Sequence, residues 1–372
     1  MTNRAALVWL GLLGVVTVRV PSAVAGPRWE LALRIPDCCN GGDPTFAASV
    51  AASATDLLIG IPGQVVGRAV VFDRAGHLQA QLEAPVPSRE FGRVVAASEA
   101  TLAVGAPDVR RVYLYDAQTY ALVQTLVGPA GSGDEFGSTV ALAKGDVVVG
   151  APFDDRNGIG TGAAYVFDRR SGGLRLALEP PAIFPGARFG AAVAVAGDDV
   201  VVGSSAQGTT NAAGNVAVYS LRTGARRWTR ERPPSADGRL FGFAVAAGSR
   251  YVVAGAPCHD GEPRAGLVVV LERASGEPLF ELAAPSPESC DFFGGAVAVD
   301  GSTIAVGARL AGDPDTGALH LFTASGGRLV ASFADGEAEA VLGVAVSMQG
   351  GRVVVGAAGE EGEARVYTRA HD

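Results

Sequence analysis

The chain has 372 residues, of which 48 % are hydrophobic and 18 % are charged, a balance that excludes an intrinsically disordered protein. Its formal net charge of −8 argues against a polyanion such as nucleic acid as the main partner. The 51 glycines and 21 prolines, beside abundant Val and Ala, are typical of many short strands joined by tight turns.

The first 25 residues have the pattern of an export signal. A basic start at Met1–Arg4 is followed by an apolar run, Ala5–Val18, and the segment ends in Ala23-Val24-Ala25, which fits signal-peptidase cleavage before Gly26. The alternative is a membrane anchor, but Arg19 ends the apolar run short of the ~20 residues that a spanning helix needs. We therefore predict Sec-type export to the medium, the cell surface or the periplasm, with no membrane span in the mature chain.

A Phe-Gly pair recurs along the mature chain. Seven copies, 45 to 53 residues apart, begin near residues 46, 91, 136, 189, 241, 293 and 342, and the first and last are degenerate. A second glycine follows the start of every copy by 14 residues. These second glycines are Gly60, Gly105, Gly150, Gly203, Gly255, Gly307 and Gly356. A constant spacing inside repeats of variable length indicates a rigid structural unit.

Each repeat is predicted to form four antiparallel strands. In the third copy, residues 137–143 and 147–150 flank a short turn and form a β-hairpin. The third strand ends in a large residue in every copy: Phe72, Tyr115, Phe167, Tyr219, Leu271, Phe322 and Tyr367. The fourth strand usually runs into a proline, which suits the end of an outer strand because proline cannot donate to a ladder.

Four strands in each repeat of about 50 residues predict an all-β, seven-bladed β-propeller that spans residues 26–372 as one domain. The seventh copy has only three strands, and residues 27–36 match the missing fourth-strand pattern. We therefore expect the N-terminal strand to complete the last blade and close the ring. The alternative, an open solenoid, would leave a spare strand at one end and a deficient repeat at the other.

The motifs resemble the FG-GAP repeat family, which forms the propellers of integrin α-subunits and of many bacterial exported proteins. The full pattern is clearest where Phe136-Gly137 precedes Gly150-Ala151-Pro152, and two other copies carry it. The resemblance covers the whole mature chain and implies a seven-bladed propeller with a role in extracellular binding or adhesion.

The chain departs from the integrin-type repeat at the calcium loop. That loop, Asp-x-Asp-x-Asp-Gly, lies between the first two strands of the family's repeats, and calcium requires six to eight oxygen ligands. The equivalent turns here are short, as in Gly197-Asp198-Asp199 and Asp300-Gly301-Ser302. The chain is more similar to a short bacterial variant without calcium, and we expect no cofactor.

Binding residues are predicted in the loops on one face of the propeller. In this fold, the loop between the second and third strands and the connection between blades emerge on the same face. The loops are longest in the four consecutive blades three to six. The candidate contacts there are Asp154, Asp155, Asn157, Asn211, His259, Asp260, Glu262, Asp313 and Asp315. The alternative is that they are ordinary solvated turn residues, and weak calcium binding by residues 154–157 or 313–315 stays open.

Export allows the four cysteines to form disulfides, and their spacing lacks the paired motifs of zinc sites. Cys258 and Cys290 are both expected on the same face, and we predict a disulfide between them. Cys38 and Cys39 are adjacent in sequence, and their pairing stays open between each other, a partner chain and no partner at all.

The sequence predicts a non-enzymatic, monomeric binding module for an extracellular protein or a glycan. It has no Gly-x-Ser-x-Gly elbow, no His-Glu-x-x-His motif and no P-loop. The first alternative is a structural component of an exported assembly that uses the blade edges. A propeller hydrolase or a quinoprotein-like enzyme is less favoured, because Trp29 and Trp228 are predicted on outermost strands rather than near the axis.

Overall fold

The computed structural model describes eleven stretches of the chain, most of them made of strands. They are residues 28–37, 44–63, 65–129, 135–206, 214–231, 240–258, 266–285, 291–312, 316–334, 340–359 and 362–370. The export-signal prediction for residues 1–25 lies outside them. Short apolar segments of Val, Ala and Leu, punctuated by Gly, give 28 strands here and one 3₁₀ turn, Pro107–Val109.

The strands form seven four-stranded antiparallel sheets, which are the blades of the predicted propeller. Strand β1 spans Trp29–Pro36. Blade 1 contains β2 (Ser49–Ala52), β3 (Asp56–Ile61), β4 (Arg68–Asp73) and β5 (Leu78–Leu82). Blade 2 contains β6 (Val94–Ala97), β7 (Thr101–Ala106), β8 (Arg111–Asp116) and β9 (Leu122–Val127). Blade 3 contains β10 (Thr139–Leu142), β11 (Asp146–Ala151), β12 (Ala163–Asp168) and β13 (Leu174–Leu178).

The remaining blades follow the same order from the first, innermost strand to the fourth, outermost one. Blade 4 contains β14 (Phe189–Ala196), β15 (Asp199–Ser204), β16 (Asn215–Ser220) and β17 (Arg226–Glu231). Blade 5 contains β18 (Ala244–Ala247), β19 (Tyr251–Ala256), β20 (Leu267–Glu272) and β21 (Pro278–Leu282). Blade 6 contains β22 (Phe293–Asp300), β23 (Thr303–Ala308), β24 (Ala318–Thr323) and β25 (Leu329–Ala334). Blade 7 contains β26 (Ala340–Gln349), β27 (Arg352–Gly359) and β28 (Glu363–Arg369), with β1 as its fourth strand.

The N-terminal strand closes the ring, as predicted. Strand β1 pairs antiparallel with β28 from Trp29 opposite Arg369 to Pro36 opposite Glu363. At the axis the innermost strands of blades 1 and 7 also meet, since the Ala52 amide donates to Ser347 Oγ at 3.1 Å. The edge of β28 that would otherwise stay open is therefore paired, and no spare strand remains within the described residues.

The hydrophobic core is divided into seven clusters, one at each interface between neighbouring blades. The first residue of each Phe-Gly copy lies fully buried in the interface that precedes its own blade. These residues are Phe46, Phe91, Phe136, Phe189, Phe241, Phe293 and Leu342. The large residues predicted to end each third strand are also buried. Because a single sheet cannot bury both of its faces, each blade depends on its two neighbours.

The constant 14-residue spacing follows from the hairpin of the first two strands, since the Gly92, Gly137 and Gly242 amides donate to the carbonyl oxygens of Gly105, Gly150 and Gly255 at 3.0–3.1 Å. The second glycine of each hairpin also faces the next blade. A Cβ at any second glycine would lie only 2.0–2.2 Å from the carbonyl oxygen of the residue that follows the Phe of the next blade. Gly203, for example, faces the Gly242 carbonyl. The series ends where Gly356 of blade 7 meets Ala47 of blade 1. The absence of a side chain at these glycines therefore sets how closely adjacent blades approach each other.

Four blades are also linked by a side chain from the next blade, a contact that we call the turn latch. In each, a side chain at or just after the end of the third strand of one blade reaches the first residue of the second strand of the blade before it. The pairs are Tyr120 with Asp56 (3.3 Å), Arg169 with Thr101 (2.7 Å), Arg273 with Asp199 (2.9 Å) and Arg369 with Thr303 (2.7 Å). All lie on one side of the ring, which we call the turn face.

Candidate functional site

The opposite side of the ring, which we call the loop face, carries the loops between second and third strands and the connections between blades. These two kinds of segment lie on the same face, as predicted, and hydrogen bonds also join them. The Gly67 amide of the blade 1 loop donates to Ser88 O at 2.8 Å in the following connection. In blade 3, the Gly186 amide donates to Ile159 O at 3.0 Å. Paired segments of this kind give the face a fixed backbone.

Asp154 holds the blade 3 loop in place rather than facing solvent. It is 1 % exposed, and one of its carboxylate oxygens accepts a hydrogen bond from the Tyr165 hydroxyl. The other accepts hydrogen bonds from the Arg156 amide and Nε, at 3.0 and 3.2 Å. Burial, together with the bond to Asp154, raises the pKa of Tyr165, so this phenol stays a proton donor. Asp154 therefore supports the loop on which other groups are presented.

The rest of the blade 3 loop is accessible from the loop face. Asp155 is exposed, and its Oδ1 accepts a hydrogen bond from the Gly160 amide at 2.6 Å. Asn157 is half-buried. The other candidates lie outside the described residues and stay predictions: Asn211, His259, Asp260, Glu262, Asp313 and Asp315.

Exposed aliphatic side chains on the loop face were not predicted from the sequence. Ile159 is 77 % exposed and Ile183 is 64 % exposed, and the hydrogen bond between Gly186 and Ile159 O brings their two segments together. A second group, Val65, Val66 and Val86, lies between blades 1 and 2. Every described large hydrophobic residue that is exposed and outside a strand belongs to this face. Exposed aliphatic groups that collect on one side of a protein are typical of interaction sites.

Charged groups lie between the two aliphatic groups, at blades 2 to 4. Burial raises the pKa of Glu90, while Arg93 opposes the shift and Asp108 and Glu135 add to it. Asp108 is fixed by the Ser88 hydroxyl and by the Arg89 amide at 2.8 Å. The loop face therefore combines apolar side chains with charges of both signs.

Cys258 is buried and disulfide-bonded. Its sulfur also accepts a hydrogen bond from the Phe292 amide at 3.3 Å. Phe292 is two residues beyond Cys290 in the chain, which supports the predicted pairing. Cys290, Cys38 and Cys39 lie outside the described residues, so the identity of the partner stays a prediction.

The histidines and tryptophans within the described stretches occupy framework positions. His320 is buried in β24, 5.7 Å from Phe293 between ring centroids, and burial lowers its pKa to about 4. His77 is an exposed turn residue whose Nδ1 lies 3.0 Å from Asp73. Trp29 and Trp228 lie on the outermost strands β1 and β17, as predicted.

A family model described as the FG-GAP repeat matches residues 128–167 and 281–322. Each match begins before a Phe-Gly pair and ends at the large residue of a third strand, Phe167 or Phe322, so each covers the first three strands of one blade. The same unit occurs seven times around the ring. The chain is an FG-GAP β-propeller.

Comparison with curated proteins finds no match to this FG-GAP propeller. No helix in the described stretches has the length and apolar character that a membrane span requires. In the same stretches, no three His, Cys, Asp or Glu side chains come together in a way that could hold a metal ion. The fold and the loop face of this FG-GAP propeller are consistent with a binding or adhesion module.

Proposed function

We propose that this FG-GAP propeller is an exported, monomeric, non-enzymatic protein that binds an extracellular partner through its loop face. The observation that carries the proposal is the pair Ile159 and Ile183, two exposed aliphatic side chains on adjoining segments beside the exposed Asp155. Leaving large aliphatic groups in water has a free-energy cost that a partner relieves by covering them. Their aliphatic chemistry favours a protein surface over a glycan.

The rigid backbone beneath these residues supports the same proposal. The buried Asp154, held by Tyr165 and Arg156, fixes the loop that presents Ile159. A pre-organised loop loses little conformational entropy when a partner binds, so more of the contact energy becomes affinity.

The test is capture of proteins from the surface and medium fractions of the producing cell, followed by identification and affinity measurement. We expect Ile159→Ser with Ile183→Ser to weaken the captured complex at least tenfold, as truncation of central apolar contacts does. A glycan array, run in parallel, tests the sugar alternative. Capture that is unchanged by the double substitution would contradict the proposal.

A structural role in an exported assembly is the second candidate, and the outer strand of blade 2 favours it. Val123 and Val127 of β9 are 58 % and 56 % exposed, and β9 has one unpaired edge. The matched variant Val123→Ser with Val127→Ser removes two aliphatic groups from this edge. If it abolishes capture while the loop-face variant does not, the assembly role replaces the binding role.

A further inference from the structure

A cavity of about 420 Å³ opens on the turn face, opposite the loop face. Its walls come from the turns between the first and second strands of blades 1, 2 and 3, from the end of β26 in blade 7, and from Arg169. It therefore lies where several innermost strands end near the axis. The volume falls in the range of small-molecule sites.

Two cations line this cavity in a chain whose formal net charge is −8. Lys144 is the only lysine of the sequence and is exposed at the turn of blade 3. Arg169 comes from the next turn of the same blade and donates to the neutral Thr101 hydroxyl at 2.7 Å. Within the described residues, neither cation has a carboxylate at salt-bridge distance.

The equivalent turn latch in blade 5 shows how such a charge is otherwise neutralised. Arg273 occupies the position of Arg169, but its partner is Asp199, whose carboxylate lies 2.9 Å away. At the same position in blade 2 the sequence has Thr101, which accepts a hydrogen bond but carries no charge. The positive charge of Arg169 therefore stays available to the cavity.

Glu99 lines the same cavity and limits what can bind there. Its carboxylate repels a second negative charge, so an ion with one negative charge fits better than one with two. Ser53, Ser98 and Gln349 add neutral hydrogen-bonding groups around the charges. We infer that the turn-face cavity binds a small monoanionic carboxylate, held by Lys144 and Arg169 and oriented by the neutral polar groups.

The experiment is a titration of the mature protein at low ionic strength, where screening of exposed charges is weak. The probes are glucuronate as the carboxylate, glucose as its neutral analogue and inorganic phosphate as the anion with the higher charge. Calorimetry should show saturable binding of glucuronate, weaker binding of phosphate and none of glucose. Binding of glucose equal to that of glucuronate, tighter binding of phosphate, or no saturable binding of glucuronate would each overturn the inference.

Three variants distinguish binding at the cavity from nonspecific attraction to surface charge. Lys144→Gln should weaken glucuronate binding at least fivefold, and Glu99→Gln should strengthen it severalfold. Arg170→Gln is the matched control, since it removes the same charge from an exposed residue next to Arg169 that does not line the cavity. We expect less than a twofold change from it. A loss from Arg170→Gln as large as that from Lys144→Gln would show nonspecific attraction and overturn the site.

This inference is independent of the proposed function, because the two surfaces lie on opposite sides of the ring. Loss of the loop-face partner in the Ile159 and Ile183 variant should leave glucuronate binding intact. Loss of glucuronate binding in Lys144→Gln should leave protein capture intact. Glucuronate binding therefore tests only the cavity proposal, and protein capture tests only the loop-face proposal.

Discussion

A single glycine at each blade interface sets how closely two backbones approach. At Gly203 a side chain has no space, because the nearest atom to a Cβ would be a backbone oxygen of the next blade, Gly242 O at 2.0 Å. A flexible side chain could move aside, but this carbonyl belongs to the neighbouring sheet. The repeat therefore tolerates only glycine here, whatever the surrounding sequence.

We predict that Gly203→Ala lowers the free energy of unfolding by roughly 3 kcal/mol, because the added methyl forces blades 4 and 5 apart. Gly145→Ala is the matched control, since a Cβ there meets nothing within 4 Å. Chemical denaturation of both variants measures the difference. Equal stability of the two variants would show that the interfaces are not as tight as described.

The buried His320 gives the protein a pH-dependent stability. Burial lowers the pKa of this imidazole to about 4, whereas in the unfolded chain it titrates near 6.5. The unfolded state therefore takes up a proton that the folded state does not. The contribution of His320 to the free energy of unfolding is complete above pH 6.5. It falls by up to about 3 kcal/mol as the pH decreases toward 4.

His320→Phe should remove this part of the pH dependence. The aromatic contact with Phe293 is kept. The Ser332 hydroxyl, which lies 2.8 Å from His320 Nδ1, can bond to water instead because Ser332 is exposed. Unfolding free energies measured between pH 7 and pH 4.5 give the slope, with His77→Gln as a control at an exposed histidine. A slope that persists in His320→Phe would assign the effect to other groups.

Some features of single residues are visible only in the structure. The 14-residue spacing indicates a rigid unit, but only the structure shows that its second glycine lies against the backbone of the next blade. The sequence places Asp154 in one of the long loops of the loop face, and this position predicts a binding residue. Its burial depends on Tyr165 and Arg156 closing over it, which the local sequence does not specify. Ile159 and Ile183 were not predicted, because the sequence does not indicate whether the fold buries or exposes them.

At the scale of elements, the turn latches join blades that otherwise meet through apolar side chains. Arg273 makes the fullest of them, donating to Ala196 O at 2.6 Å and to Asp199 at 2.9 Å in blade 4, and to Ser249 O at 3.0 Å in its own blade. Arg227 Nε lies 3.0 Å from Asp199 Oδ1 and forms a second ion pair. The geometry of this pair is not that of a hydrogen bond. These links could not be predicted from the sequence, because they join residues about 70 positions apart in the chain.

We predict that Arg273→Gln lowers the free energy of unfolding by about 2 kcal/mol, since a charged, partly buried hydrogen-bonding group is lost. Arg222→Gln, at an exposed turn arginine of blade 4, is the control and should have little effect. Denaturation at 0.15 M salt measures both. If the two variants are equally stable, the latch contributes nothing measurable.

The disulfide of Cys258 adds a covalent link to these hydrogen bonds. We predict that peptide mapping under non-reducing conditions finds Cys258 joined to Cys290, and that Cys290→Ser destabilises the protein by about 3–4 kcal/mol through the loop that the bridge closes. Recovery of Cys258 joined to Cys38 or Cys39 would contradict this pairing. The test also determines the state of the two adjacent cysteines.

At the scale of the whole molecule, the ring is a single cooperative unit because each blade lacks a complete core of its own. Strand number, blade number and closure could all be predicted from the sequence, since period and glycine spacing are properties of the repeat itself. The apolar groups of the loop face and the cavity of the turn face could not. They arise from side chains that are distant in sequence and meet only when the ring has formed.

Ring closure by the N-terminal strand is the central claim, and cysteine cross-linking tests it most directly. Glu30 and Thr368 are register partners in β1 and β28, so Glu30→Cys with Thr368→Cys should form a disulfide under mild oxidation. Thr323 has the equivalent position in blade 6, and Glu30→Cys with Thr323→Cys is the matched control. If the ring closes in this way, only the first pair forms a cross-link, which is seen as a mobility shift on a non-reducing gel. A cross-link in the control pair instead, or in neither, would contradict this claim.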